Sequence, residues 1–177
     1  MELDPRSALL ITESAWPHGY LGRHDEGLEI YKKALEIDPN LALTHFDVAW
    51  SYQRKGMYDQ ARDSYLRALE LSGRASLGLC WYSTLLAETG EVEEARLLLE
   101  EMKERQRNGE KISAFVAMVY DALGERETAF AWLDRSFEDR EPTLGWIGIS
   151  PELGFRNIRS EDRFTDLFLR VRGKEAT

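Results

Sequence analysis

Apolar and small residues recur at helical spacing in eight stretches of this chain: 8–21, 25–38, 41–55, 58–72, 75–89, 92–107, 110–123 and 126–139. Each stretch predicts an α-helix. The punctuation between them is regular. Gly22, Gly56, Gly90 and Gly124 stand at equal intervals, at points where a tight turn calls for a residue tolerant of positive φ. Five residues after each glycine comes a small residue: Gly27, Ala61, Ala95, Ala129. Seven residues before comes another: Ala15, Ala49, Ser83, Ala117. Nine residues after stands a large one, Tyr31, Tyr65, Leu99 or Leu133, and twelve after come Ala34, Ala68, Met102 and Ser136. Small residues on both sides of a turn let two antiparallel helices approach closely, and the large ones fill the space beside them. Tyr58-Asp59-Gln60-Ala61-Arg62 and Val92-Glu93-Glu94-Ala95-Arg96 place acid in a first helical turn, as the helix dipole prefers.

A helix–turn–helix unit recurring every ~34 residues resembles the tetratricopeptide repeat (TPR) family. The resemblance is carried by Tyr52, Gly56, Tyr58, Ala61, Tyr65 and Ala68 in the second unit and by Gly22, Tyr31, Ala34 and Pro39 in the first. It implies an all-α, right-handed helical solenoid of four TPR units spanning 8–141, divided approximately as 8–41, 42–75, 76–109 and 110–143. Arg107 and Glu141 stand where the later units would carry the proline, and Leu86 stands at the position of Tyr52. These departures leave the ends of the second helices open. Pro17 lies inside the first helix, where a lost amide donor and a steric clash cost about 3 kcal/mol in a regular helix; a kink or break is expected near Trp16-Pro17.

Residues 142–177 read as a loop and a capping helix. Glycines and prolines among the apolar residues of 141–151 show no helical period, and Trp146-Ile147-Gly148-Ile149 reads as packing beneath the cap. Ser160 then serves as an N-cap, with Glu161 and Asp162 in the first turn and Phe164, Leu167, Phe168 and Val171 on one face. Such a helix would cover the apolar end of an array. Arg159, Ser160, Asp162, Arg163 and Phe164 also resemble the phrase closing many bacterial TPR arrays, with Glu161-Asp162 in place of the more usual aspartate-proline. That resemblance implies a module within a larger signalling or regulatory protein. At the other end, Pro5 precedes Pro39 by the interval that separates the glycines, so 1–7 reads as the tail of a preceding repeat. A degenerate N-terminal extension of a short protein is the alternative. An open N-terminal end would expose Leu9, Leu10 and Trp16, an apolar patch of the kind that drives self-association.

Composition narrows the function. A net charge of −9 argues against nucleic acid as the main partner, since that binding rests on a basic footprint. No run approaches the roughly 18 apolar residues of a membrane span, so no membrane partner is expected. One cysteine, Cys80, forms no disulfide framework, and the cytoplasm is the expected location. His18, His24 and His45 lack metal-ligand spacing, Cys80 lacks a CxxC partner, and the glycines follow the repeat and form no phosphate loop. Neither catalysis nor a metal or other cofactor is expected.

What remains is the surface the repeats create. In this architecture the first helices line a concave face, and the positions six and ten before each glycine point into it. These are Thr12 and Trp16, Phe46 and Trp50, Cys80 and Thr84, Ala114 and Met118. Arg54 and Lys111 add positive charge at the edge, and Asp47, Glu88 and Asp121 negative charge nearby. The lysine–asparagine pair by which well-known TPR grooves clamp acidic C-termini is absent from those positions. The expected function is therefore protein–protein interaction, with a peptide or protein partner bound through apolar anchors. Homo-oligomerisation through the open end is the alternative. Trp16 and Trp50 have two readings, as groove walls or as packing residues.

Overall fold

The computed structural model describes residues 7–149, 154–171 and 173; the N-terminal phrase 1–6 lies outside them. Among the described residues ten helices follow one another: α1 Ala8–Tyr20, α2 His24–Ile37, α3 Ala42–Arg54, α4 Tyr58–Leu71, α5 Ser76–Thr89, α6 Val92–Arg107, α7 Ser113–Ala122, α8 Arg126–Glu138, α9 Pro142–Ile149 and α10 Asp162–Val171. No strand occurs among the described residues. The chain divides into two compact halves, one through Leu85 and one from Leu86.

The turns are built alike. Gly22, Gly56, Gly90 and Gly124 all have positive φ, from 72° to 88°. At each, the amide that follows reaches back five residues: Arg23 to His18 O at 2.8 Å, Met57 to Tyr52 O at 3.0 Å, Glu91 to Leu86 O at 2.8 Å and Glu125 to Tyr120 O at 2.9 Å. This is the Schellman closure, in which a left-handed residue satisfies carbonyls that the helix end leaves free. The predicted contact residues lie inside. Ala15, Ala49, Ser83 and Ala117 have no exposed surface, nor do Ala61, Ala95 and Ala129, and Tyr31, Tyr65, Leu99 and Leu133 are buried beside them.

In the N-terminal half, α1 pairs with α2 and α3 with α4. The Tyr65 hydroxyl donates to buried Gln53 Oε1 at 2.8 Å, so the one polar atom of this buried ring is satisfied. The expected break at Pro17 does not occur: α1 is continuous to Tyr20, and the Leu21 amide still bonds Pro17 O at 3.1 Å. Pro17 stands in the last turn, where its missing amide removes a single helical bond.

In the C-terminal half, two carboxylates replace the regular repeat chemistry. Glu141 is 4% exposed, and its oxygens accept from the Ser113 amide at 2.7 Å, the Ser113 hydroxyl at 2.7 Å and the Ser136 hydroxyl at 3.0 Å. It thereby caps α7 from far along the chain, which explains an acid where a proline was expected. Asp121, 1% exposed, accepts from the backbone amides of Arg156 at 2.7 Å, Asn157 at 3.2 Å and Ile158 at 3.1 Å. That carboxylate ties the segment before α10 to α7.

Two expectations for this region are corrected. The stretch 142–149 is a helix, not a loop. Pro142 occupies its first position, where proline's fixed φ suits a helix and no amide is needed, and Leu144 and Ile147 are buried one turn apart. The second concerns Ser160, which is not the N-cap of the last helix. α10 starts at Asp162, and Glu161 O takes the first amides, from Phe164 at 3.0 Å and Thr165 at 3.1 Å. Phe164, Leu167 and Phe168 form its buried face, as expected, with α10 packed on α8 and α9. Arg163 and Arg170 lie over the rings of Phe130 and Phe137 at 4.4 and 4.3 Å.

Replacing Glu141 with alanine strands the Ser113 amide and two buried hydroxyls. Glu141→Ala should lower unfolding free energy by about 3 kcal/mol, measured by urea denaturation.

Candidate functional site

The positions expected to form one inner wall have two different fates. Thr12 is fully buried, its hydroxyl bonded to Ala8 O at 2.9 Å and 2.7 Å from that of Thr44. Phe46 is buried because Gly78 has no side chain: a Cβ there would lie 2.3 Å from the phenyl ring. Cys80 is buried, which pushes its thiol far above the usual range, and Thr84 is nearly so, bonded to Trp81 O at 2.7 Å. Met118 is covered, with its thioether 2.8 Å from where a Gly154 Cβ would be. These five side chains are packing residues and give a partner no accessible wall. Their neighbours fill the space that helical position alone had left open.

Trp16, Trp50, Arg54 and Lys111 keep accessible surface. Lys111 belongs to the C-terminal half, where its amine lies 3.5 Å from Asp139 O. The other three lie on α1 and α3, and around them the N-terminal half gathers a polar-aromatic cluster. The Trp16 indole donates to Asp47 Oδ2 at 2.9 Å, joining α1 to α3. The Trp50 ring lies on the backbone of α1 at Gly19, where an added Cβ would be 2.7 Å away. His24 meets that ring edge-on at 5.3 Å. Trp50 is thus both packed and half-exposed, so the two readings of it coexist in one side chain.

Tyr20 completes the face. It follows Trp16 by one helical turn and is 49% exposed. Tyr31 of α2, 2% exposed, is close enough for Asp47 and Tyr20 to act on its hydroxyl. Burial pushes Asp47 up to about 7, even though the Trp16 hydrogen bond favours the ionised form. Burial and the nearby Asp47 charge raise both tyrosine hydroxyls. His24 is held below its ordinary range by burial and by Arg54. In the sequence Asp47 registers only as a charge near the edge, and Tyr20 goes unnoticed; its spacing of four from Trp16 was the available signal.

Residues 18–73 match the family model of the tetratricopeptide repeat. Among solved structures the chain is similar to YrrB, described as a TPR protein with an unusual peptide-binding site, at 17% identity over 96% of this chain and 89% of that one, with a TM-score of 0.53. It is similar also to MamA protein, at 16% identity over 94% and 92% with a TM-score of 0.52. MamA 41-end from Desulfovibrio magneticus RS-1 aligns at 14% identity over 99% and 100%, with a TM-score of 0.55. No curated protein matches. Residues 18–73 thus carry the tetratricopeptide repeat, and the all-helical fold expected from the sequence, with a Schellman turn recurring once per unit, is the one this chain shares with these structures. Among the described residues no group of three His, Cys, Asp or Glu is placed to hold a metal, and no helix is long and apolar enough to cross a membrane.

Two predictions test this cluster. Gly19→Ala gains about 1 kcal/mol of helix propensity but must displace the indole, at about 1–3 kcal/mol; the expected result is a small net loss in stability with a shifted tryptophan emission. For Asp47, the folded-state pKa lies above the unfolded one. Its contribution to stability is therefore fully present below pH 4 and lost as pH rises through 7. Asp47→Asn should remove that slope, stabilising the protein at pH 8 by about 2 kcal/mol and leaving it nearly unchanged at pH 4, as read from paired denaturation curves.

Proposed function

We propose that this chain is a non-catalytic protein–protein interaction module, a scaffold or regulatory domain within a larger protein. It would hold a peptide segment of its partner against the α1–α3 face. The observation that carries this reading is the set of half-accessible rings, Trp16, Tyr20 and Trp50, on adjacent first helices. Exposed aromatics anchored by their own packing are the side chains that supply most interface energy, because little entropy is lost when they bind. Fold likeness to YrrB supports the reading. So does the inert Cys80, whose burial fits a structural thiol better than a nucleophile. The reducing cytoplasm suits such a thiol.

A second reading, homo-oligomerisation, is favoured by the exposed Leu9 and Leu21 at the two ends of α1, 43% and 67% accessible. One set of samples separates the two. Peptides selected from a displayed random library should bind the chain and lose about tenfold or more in affinity with Tyr20→Ala, which truncates a half-exposed ring. Selected peptides indifferent to Tyr20→Ala and Trp16→Phe would place binding elsewhere. A concentration-dependent dimer in sedimentation, abolished by Leu21→Ser, would establish the second reading.

A further inference from the structure

The Asp47 carboxylate has capacity that the fold does not use. An ionised carboxylate offers about four acceptor positions, yet among the described residues the Trp16 indole is its one hydrogen-bond donor. It sits half-buried beside three aromatic side chains: Trp16 and Tyr20 of α1 and Tyr31 of α2. A charge withdrawn from water with so few donors is costly, and a cation brought to it recovers more than it would on an open surface. Aromatic faces beside a carboxylate suit a planar cation best, since guanidinium both stacks and forks its donors onto oxygen. The chain's charge of −9 favours such a partner at long range.

We propose that Asp47, hydrogen-bonded to Trp16 and close to half-exposed Tyr20, receives an arginine side chain of the partner protein, its guanidinium bonded to the carboxylate and stacked on the neighbouring rings. This rests on the peptide-binding reading and gives the partner a chemistry: a basic residue set among apolar anchors. The groups facing Asp47 do not compete for the role of switch. Tyr20 and Tyr31 hold their protons throughout the neutral range, and His24, against the Trp50 ring, stays neutral above its lowered pKa. Ionisation of Asp47 itself therefore sets the pH dependence, so arginine binding should be present above pH 7 and fall away below it.

The probe is Nα-acetyl-argininamide, titrated into the full chain while the Trp16 indole N–H resonance is followed by NMR. Saturable shifts are expected at millimolar concentration, about tenfold weaker at pH 6 than at pH 8, and lost in Asp47→Asn. Nα-acetyl-lysinamide should bind more weakly, and the uncharged isostere Nα-acetyl-norleucinamide should leave the resonance in place. Equal binding of the norleucine compound, or shifts that persist in Asp47→Asn, would overturn the proposal. Library peptides supply the separate control. If they depend on Tyr20 but tolerate Asp47→Asn, the groove stands and the arginine site falls. If argininamide binds at Asp47 while no peptide does, the arginine site stands without the groove.

Discussion

The geometry of each helix pair depends on one backbone event, the left-handed residue that ends the first helix. At Gly22, Gly56, Gly90 and Gly124 the chain turns through positive φ, and the following amide closes back onto the carbonyl five residues earlier. That bond fixes where the second helix begins. Ala15 against α2, or Ala49 against α4, can then bring the two helices into contact. Helices of 10 to 16 residues are marginal alone, so the contact that the turn imposes is what makes them persist.

The same closure explains why so much of the fold could be read from the sequence. A residue that must adopt positive φ is nearly always glycine, and a residue in the closest helix contact must be small. Both requirements act on single positions and leave a mark once in every unit. Where the chemistry changes, the mark fades. The turns after α4, α6 and α8 use Gly73, Gly109 and Arg140 in positive φ, spaced off the repeat and so without a periodic signal. Pro142 reads as a helix breaker by composition and acts as a helix starter by position. Pro17 misleads in the opposite way, because its effect depends on its distance from the end of α1.

The candidate site was less legible, for a related reason. Helical phase tells which face a side chain occupies, but not whether a neighbour has filled the space in front of it. Phe46 and Trp50 share a face of α3, yet Gly78 admits the first into the core while the second rests on Gly19 and keeps surface. The deciding residues are glycines far away in sequence whose missing side chains make the room. Asp47 eluded the sequence for the same reason: its environment comes from α1 and α2, not from its own helix.

Glu141, Asp121 and Asp47 show how the number of donors separates structure from readiness to bind. Glu141 and Asp121 each accept several hydrogen bonds from amides and hydroxyls, so their oxygens are saturated and each ties distant segments together. A ligand has nothing to gain at either. Asp47, half-buried, meets a single donor among the described residues, the Trp16 indole, and burial disfavours its ionised form so far that its pKa rises to about 7. A fold selected for stability alone would have met that carboxylate with more donors or replaced it. Its place beside Trp16 and Tyr20, at a cost to the isolated chain, is the arrangement expected where the missing donors arrive with a partner.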